Sequence, residues 1–518
     1  MRLDRSIDAR MAHSPRILRV AAELVAAAFI FLFLFTACKR LHYPFELDRM
    51  ESAMMTTVLR VRHGLPLYSA PSMEWVPFLY APVYFYISAA VSRVVGLGYP
   101  ALRLVSILST LGSFGLIYAF VVRETRNHAA ALVSVGIFAS LYSFTLAWFD
   151  VGRVDSLSVF FLLLALYATR FYNPVIAALI WLLAFQTKQT MLPVALIVFL
   201  CEWQRPRRML LGMATFAALA FASVHFFNAH TGGWYSYYVF GASRGLKLIP
   251  HMLLLFFPLD LLGPLGIAVA LIAIALFIQP PNLRSRAFSF YAFVTAILTG
   301  AICFVRAHDG ANINAVIPVY VWLSILLGFA IHRILRWSAT ALPAGSWLVP
   351  AVVWLLVSVQ MLGHLYRPAQ WEPASLASRN AFMVQLKAIP GDVWATNHSY
   401  DALLAGKPMH PEMDALDSVL GRSYQPTIDE LRKQIETQHF SAIILDRDAS
   451  VYQPPWLFNQ PPFTTNYALQ AVAVSGYSGE ADQPHMIYLS CSALTAAVPP
   501  IDLKAAFINR GNCPAKNP

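Results

Sequence analysis

The stretch of sequence that decides the fold is Glu46-Leu47-Asp48-Arg49-Met50-Glu51, which holds three carboxylates. It follows an apolar run, residues 20–37, that is long enough to cross a bilayer at about 1.5 Å per residue. Carboxylates beside a spanning segment are costly unless they face water, a cation or a substrate. If residues 48–51 are helical, Asp48 and Glu51 share one face. The hexapeptide alone fits both a solvated loop and a functional site, so its place in the chain has to decide.

The composition indicates a membrane protein. Of the 518 residues, 58% are hydrophobic and only 13% are charged, and the mean hydropathy is +0.56. Such values are not those of a soluble globular protein, and recurring apolar runs predict a polytopic α-helical membrane protein. The net charge of +11 lies largely in short loops between these runs. That pattern orients a membrane protein and gives no support to nucleic-acid binding.

About eleven apolar segments are predicted to cross the membrane as helices. A further apolar segment, residues 77–96, decides the orientation of everything after it. We interpret it as an interfacial helix in the first outer loop, because only then do the basic loops alternate as the positive-inside rule requires. The predicted spans are residues 17–38, 100–122, 129–148, 155–171, 174–187, 190–203, 208–229, 255–278, 287–305, 315–333 and 345–365.

This interpretation puts ten arginines in loops on the cytoplasmic side and leaves scattered bases opposite. The basic N-terminal segment and the first span are then predicted to be a retained signal anchor whose N-terminus lies in the cytoplasm. The C-terminal part is predicted to lie on the non-cytoplasmic side. The arginines of the cytoplasmic loops are Arg123, Arg126, Arg170, Arg205, Arg207, Arg208, Arg284, Arg286, Arg333 and Arg336, and the bases opposite are Arg153, Lys188, Arg244, Lys247 and Arg306.

The chain changes character at about residue 366, where it becomes more polar and rich in Pro and Asn. We expect a transmembrane catalytic domain over residues 1–365 and a small C-terminal α/β domain over residues 366–518. Cys491 and Cys513 lie in a compartment predicted to be oxidising, so they are expected to form a disulfide. The predicted strands are residues 393–396, 442–445 and 486–489, and the predicted amphipathic helix is residues 428–438.

The predicted topology brings the ionisable residues of the spans to one, non-cytoplasmic membrane face, where such residues are functional candidates. Asp48 or Glu51 could remove a proton from a hydroxyl or amine acceptor. Bases at the outer ends of spans could bind a lipid phosphate, although each could equally be a cation that reaches for the headgroups. The candidate phosphate-binding residues are Lys188, Arg306, Arg103 and His308.

Further residues are expected to line a cavity at this face. Arg153 and Asp155 either form a local ion pair or share the cavity with Asp48. The aromatic stretch that contains Tyr80 and Tyr84 forms a rigid wall, which is suited to the interface and also to stacking on sugars. No metal site is assigned and no cofactor is certain. A divalent cation held by Asp48, Glu51 and Asp155 is a less favoured alternative, since such sites usually need more oxygen ligands.

With these residues in place, the chain resembles the GT-C-fold membrane glycosyltransferases, a bacterial group that includes protein O-mannosyltransferases and lipid A aminoarabinose transferases. The resemblance covers residues 17–335 and depends on the order and shared side of individually weak motifs. These are Asp48 with Glu51, Leu65-Pro66-Leu67-Tyr68, Tyr80-Ala81-Pro82-Val83-Tyr84, Arg103 with Ser106, Arg153 with Asp155 and Ser156, Lys188 with Gln189, and Gly310-Ala311-Asn312-Ile313-Asn314.

The resemblance implies a polyprenyl-phosphate sugar as donor, an envelope glycan, lipid or protein as acceptor, and inversion at the anomeric carbon. It implies a location at the outer face of a bacterial inner membrane and adds Asn314 to the cavity residues. Asp48 matches the acidic position of the family, and Glu51 fits nearly as well. Ala81 departs from the pattern, since many relatives have a second Pro there, and the acceptor-binding regions offer no match.

Two other classes of function remain open at this point. A transporter or flippase of lipid-linked sugars would also need basic groups near a cavity, but the sequence has no internal repeat and no matching pair of broken helices. A non-catalytic assembly subunit would use its C-terminal domain as a binding module.

Overall fold

The computed structural model describes residues 16–241, 247–282, 285–343, 346–366, 373–420, 424–446, 449, 455–472, 486–495 and 513. Residues 1–15, Arg244 and Arg284, which entered the predicted orientation, lie outside the described residues.

The described part of the chain is mainly helical and confirms the predicted polytopic membrane fold. Seven of its helices are long and apolar enough to cross a membrane, and together with four shorter apolar helices they match the predicted spans one for one. The long helices are Arg16–Leu41, Tyr99–Thr125, Val154–Phe171, Pro206–Thr231, Pro250–Ile278, Arg286–Arg306 and Ile313–Ala341, and the shorter ones are His128–Ser140, Pro174–Thr187, Met191–Glu202 and Leu348–Leu362.

Local sequence explains where several of these helices begin. The side chains of Asn127, Asn173 and Ser285 each accept a hydrogen bond from a backbone N–H in the first helical turn. Such caps satisfy donors that have no partner within the helix. Pro174 directly follows its cap, at a position where the missing proline N–H costs nothing.

The apolar segment 77–96 forms a helix only over Val83–Val95. Its 13 residues span about 20 Å, which is less than the hydrocarbon thickness of about 30 Å. This length fits the predicted interfacial helix, although His128–Ser140, which occupies a predicted span, also has 13 residues. Gly96, with φ of 93°, ends the helix in a conformation that favours glycine.

One predicted span is too long. Residues 129–148 were expected to be helical, but the helix ends at Ser140 and turns follow, with left-handed φ at Leu146 and Ala147. The turns wrap the guanidinium of Arg40, which donates to the carbonyl of Ala147 at 3.1 Å and pairs with Asp150 at 3.0 Å. A buried cation needs such partners. The hydropathy of residues 141–148 contains no information about this need, so it predicts a longer helix.

Small residues let the central helices pack closely. A Cβ added to Gly136 would lie 2.4 Å from the Cβ of Ala26, and one added to Gly328 would lie 2.4 Å from the Oγ of Ser134. Contacts of this kind join His128–Ser140 to its neighbours on two sides. Close backbone approach at small residues is typical of helix packing in membranes.

The C-terminal region forms a mixed four-stranded sheet with the order β1-β2-β4-β3. β1 (Val393–Ala395) is parallel to β2 (Ala442–Leu445), while β4 (Met486–Ser490) is antiparallel to both β2 and β3 (Tyr467–Val472). The three predicted strands and the predicted helix, found at Gln425–Glu436, are confirmed.

Several described elements of this region were missed in the sequence, namely β3 and the helices Pro373–Ala388, Ser399–Leu404, Met413–Leu420, Pro455–Phe458, Phe463–Asn466 and Cys491–Thr495. The predicted disulfide between Cys491 and Cys513 is confirmed.

The two ends of the helix bundle carry different sets of charged residues. Asp155 begins the helix Val154–Phe171 and Arg170 ends it, where Arg170 pairs with Glu124 at 2.7 Å. At the same end, Arg286 pairs with Glu202 at 2.5 Å. The basic loop residues therefore gather at one end of the bundle, and the candidate site residues gather at the other.

Candidate active site

Asp48 lies in the loop between the first spanning helix and the helix Met50–Arg62. It does not share a helical face with Glu51, since the helix begins only at Met50. Its Oδ1 accepts hydrogen bonds from the N–H of Met50 at 2.9 Å and from Arg153 at 2.8 Å. Within the described residues no hydrogen bond reaches Oδ2. One oxygen of this nearly buried carboxylate is therefore held, and the other keeps its lone pairs.

Arg153 links Asp48 to a second carboxylate, that of Asp155, at 3.2 Å. Asp155 Oδ1 accepts from Lys188 Nζ at 2.7 Å and from the amide of Asn314 at 3.0 Å. The structure thus joins five residues singled out in the sequence into one chain of contacts. Lys188 uses one of its N–H bonds in this chain, and an ammonium group carries further donors.

The aromatic segment before the helix Val83–Val95 covers this network. The charges of Arg153 and Asp155, together with those of Lys188 and Asp48, act on the phenol of Tyr80. Burial is the largest influence and raises the pKa of Tyr80, so the phenol is a neutral O–H group at pH 7. Tyr84 is fully buried. Asp155 also acts on the phenol of Tyr84, so both tyrosines lie near the charged network.

A cavity borders this network. Its polar edge is formed by Asp155, Lys188 and Asn314, and much of the rest of its lining is apolar. An enclosure that is charged at one edge and apolar elsewhere suits a ligand with an anionic head and a hydrocarbon chain. The apolar part of the lining includes Val159, Met191, Ile302, Val305, Ala315 and Pro318.

Glu51 has a different environment from Asp48. It is fully buried, and each of its oxygens accepts two hydrogen bonds: Oε1 from Arg103 at 3.0 Å and the N–H of Gly152 at 2.6 Å, Oε2 from Arg103 at 2.6 Å and the N–H of Leu47 at 2.7 Å. A carboxylate with all lone-pair directions filled has nothing left for an acceptor proton.

Arg103 is equally committed. Besides Glu51, its N–H groups donate to the carbonyls of Arg40, Tyr43 and Phe45. This leaves the guanidinium no donor for a lipid phosphate, contrary to the sequence-based expectation. Arg103 instead fastens the backbone that leads into the loop of Asp48.

Arg306 ends the helix Arg286–Arg306 and His308 follows it, and neither residue belongs to the network. Arg306 is paired with Asp260 at 3.0 Å and donates to the carbonyl of Ala311 at 3.0 Å. The ring of His308 contacts the carbonyl of Phe304, one turn back on its own helix end. Arg306 adjoins Val305 of the cavity lining, whereas His308 is half-buried and is not among the residues that line the cavity.

No protein-family model and no curated protein matches the chain. By structure, the chain is similar to ArnT from Cupriavidus metallidurans bound to undecaprenyl phosphate, with a TM-score of 0.57 and 14% identity over 89% of this chain and 97% of that one. The same protein in the apo state gives a TM-score of 0.55 and 15% identity over 90% and 98%. The chain has the GT-C fold. The resemblance noted in the sequence is confirmed at the level of fold.

The carboxylates of this GT-C chain do not form the cation site considered from sequence. The guanidinium of Arg153 lies between Asp48 and Asp155, and Glu51 is saturated by other donors. A cation bound to these carboxylates would have to displace Arg153 from Asp48 and Asp155, and Arg103 from Glu51. The three residues therefore do not fit a divalent ion as they stand.

A second acidic group, Glu46 with His398 and Asp401, has ligand atoms within 4.8 Å of one another. Arg379 already donates to both Glu46 and Asp401. Burial alone would lower the pKa of His398, but Glu46 and Asp446 outweigh it and raise the pKa well above its ordinary value. A guanidinium and an imidazolium already balance these acids, so this group does not fit a divalent ion either.

Sequence reasoning missed this second group altogether, although a signal for part of it existed. His398 follows β1 and Asp446 follows β2, both predicted as strands. Polar residues just after parallel strands commonly form binding sites. Nothing in the sequence indicated that their partner would be Glu46, which lies 352 positions before His398.

Proposed function

We propose that the chain is a hexosyl- or pentosyltransferase that moves a sugar from a polyprenyl-phosphate donor to an envelope glycan, lipid or protein acceptor, with inversion. The observation that carries this proposal is Asp48, a buried carboxylate with one oxygen fixed and the other without a hydrogen bond from the described residues. The GT-C fold supports it, because the similar ArnT was crystallised with undecaprenyl phosphate.

In the proposed reaction, the acceptor hydroxyl or amine attacks the anomeric carbon of the donor sugar. The bond from that carbon to the phosphate oxygen breaks, and the electron pair leaves with the lipid phosphate. Asp48 Oδ2 takes the acceptor proton as general base. Attack from the face opposite the leaving phosphate inverts the anomeric carbon.

The leaving phosphate needs positive charge nearby. We propose Lys188 as its principal partner, since Lys188 borders the cavity with donors beyond the one used by Asp155. Arg306 is the second candidate because it adjoins the cavity wall. Arg153 serves instead to hold Asp48 and Asp155 in place.

Lys188→Ala is expected to weaken binding of the donor lipid. A hydrogen bond from a charged donor contributes about 1.5–3 kcal/mol, which corresponds to an affinity loss of about 10- to 100-fold. Binding of a polyprenyl-phosphate sugar to the detergent-purified protein measures this. Lys407→Ala, which removes a lysine of the C-terminal region, is the control. Equal affinities in the Lys188 and Lys407 variants would remove Lys188 from the phosphate site.

The proposal also places the site on the outer face of a bacterial inner membrane, with residues 1–365 as the catalytic domain and residues 366–518 as a periplasmic domain. Positive charge in the loops around Arg123 and Arg170 supports this orientation. Reporter fusions after Arg126 and after Arg367 are expected to report the cytoplasm and the periplasm respectively. The reverse pattern would contradict the proposed orientation.

The transfer itself is tested with the purified full-length chain in liposomes that contain a polyprenyl-phosphate-linked sugar. Mass spectrometry of lipid-linked sugars and envelope glycans in a deletion strain identifies the donor and acceptor to use. Accumulation of the donor together with loss of one glycan modification is expected. Formation of free polyprenyl phosphate and glycosylated acceptor in the liposomes would then establish the activity.

A further inference from the structure

Glu46 stands two residues before Asp48 and is held by the C-terminal domain. Its carboxylate accepts from Arg379 at 2.7 Å and contacts the ring of His398, and the hydroxyl of Tyr99 reaches its other oxygen at 3.2 Å. Its exposure is only 9%. The contacts from Arg379 and His398 tie the first outer loop to a part of the chain more than 300 positions away.

The receptor for Glu46 is the carboxyl end of the two parallel strands. His398 comes just after β1, and Asp446 comes just after β2 and accepts from the His398 ring at 2.7 Å and from Asn397 at 2.7 Å. Open α/β sheets bind their ligands at this edge. In this chain, the edge receives a carboxylate of the chain's own first outer loop.

Charge explains why Glu46 stays in the receptor. Burial would raise its pKa, but His398 and Arg379 outweigh burial and hold the pKa below its ordinary value. The groups that face His398 are Glu46, Asp446 and Asp401, with Arg379 and Glu412 close by. Two cations thus face the carboxylates. A neutral side chain at position 46 would remove the acid that Arg379 and His398 share, while Arg379 keeps Asp401 and His398 keeps Asp446, so neither cation would hold the loop by an ion pair.

A second contact fixes the chain on the other side of Asp48. The hydroxyl of Ser52 donates to Glu412 at 2.8 Å and accepts from the N–H of Tyr400 at 3.0 Å. Burial raises the pKa of Glu412 to about 8, so it is mostly protonated at pH 7 and adds no unbalanced charge. Asp48 therefore lies between two anchors, both supplied by the C-terminal domain.

We propose that the C-terminal domain positions Asp48, and that Glu46 and His398 are the positioning residues through which it does so. This inference rests on the proposed function, in which Asp48 Oδ2 must meet the acceptor proton. The reaction depends on that placement, because a displacement of about 1 Å can cost about 100-fold in rate. The C-terminal domain thus contributes to turnover without contacting the donor phosphate.

The test uses the full-length protein with Glu46→Gln, His398→Asn and the double variant. Hydrogen–deuterium exchange in peptides covering residues 42–52 is expected to rise in all three, while exchange in Tyr99–Thr125 stays at the parent level. The kcat is expected to fall about 100-fold, with KM and donor affinity unchanged. The double variant should lose no more than either single variant, because both break the same contact.

The matched control is His439→Asn, which breaks another His–Asp pair of the same domain, at 3.1 Å from Asp392 and away from the loop. It should change neither exchange nor kcat. If a Glu46 or His398 variant does not fold, Ser52→Ala tests the second anchor, with a smaller change in the same direction expected.

Unchanged exchange in residues 42–52 would overturn the anchoring. Raised exchange with parental kcat would overturn the positioning role. A parent protein that transfers no sugar would overturn the proposed function and the positioning role with it, while the exchange data still decide whether the domain anchors the loop.

Discussion

Asp48→Asn is expected to lower kcat by about 10²–10⁴-fold, the usual cost of losing one general base. The asparagine keeps the shape of the side chain, and its carbonyl oxygen can still accept from Met50 N–H and Arg153. It cannot take a proton at neutral pH. Donor affinity should stay near the parent value, because Lys188 and the cavity are untouched. Turnover and donor binding of the purified protein measure the two effects separately.

Glu74→Gln is the control for this prediction, since Glu74 is an exposed carboxylate of the same segment, between the spanning helices Arg16–Leu41 and Tyr99–Thr125. It should leave kcat unchanged. An Asp48→Asn protein that turns over within a few-fold of the parent would exclude Asp48 as the base. If no carboxylate variant of the loop loses activity, the proposal that sugar transfer occurs at this site is wrong. Transport of a lipid-linked sugar without transfer then becomes the better explanation.

The fold could be predicted from sequence because it depends on patterns that are local. Runs of apolar residues define the spans, and the alternation of basic loops assigns residues 77–96 to the interface. The same local information failed at residues 141–148. Those residues are apolar enough for a helix, but their backbone is needed as a partner for Arg40, which arrives from another helix.

The candidate site could be predicted only as a set of residues. Sequence order brought Asp48, Asp155 and Lys188 to one face, and the structure places them in one network. It could not say which carboxylate is free, because that depends on which arginine each one meets. Glu51 meets Arg103 with all its donors committed, whereas Asp48 meets Arg153 on one oxygen alone.

The contacts to the C-terminal domain show a further limit. Glu46 belongs to the same hexapeptide as Asp48, yet its partners are fixed by the docking of a sheet edge far along the chain. No periodicity or spacing encodes that docking. Charged residues after predicted parallel strands are the nearest signal, and they identify the receptor without identifying what it binds.

Glu51→Gln is expected to destabilise the protein by about 3–5 kcal/mol, the cost of removing one partner from a buried ion pair. Arg103 has no exposure, so no water can replace the lost charge. The glutamine amide also turns a donor toward Arg103 or toward the N–H groups of Leu47 and Gly152, where the carboxylate accepted. Thermal unfolding of the purified protein measures the loss.

The control for Glu51→Gln is Asp414→Asn, which removes the charge from a partly exposed pair with Arg49 at 3.1 Å. Exposed pairs contribute about 0–1 kcal/mol, so its unfolding temperature should stay close to that of the parent. Gly152→Ala should resemble Glu51→Gln, since an added Cβ would lie 2.7 Å from the Cβ of Leu102 and 3.1 Å from Glu51 Oε1. A Glu51→Gln protein with parental unfolding temperature and no turnover would reverse the assignment. Glu51 would then be the base, and Asp48 the residue that merely holds Arg153.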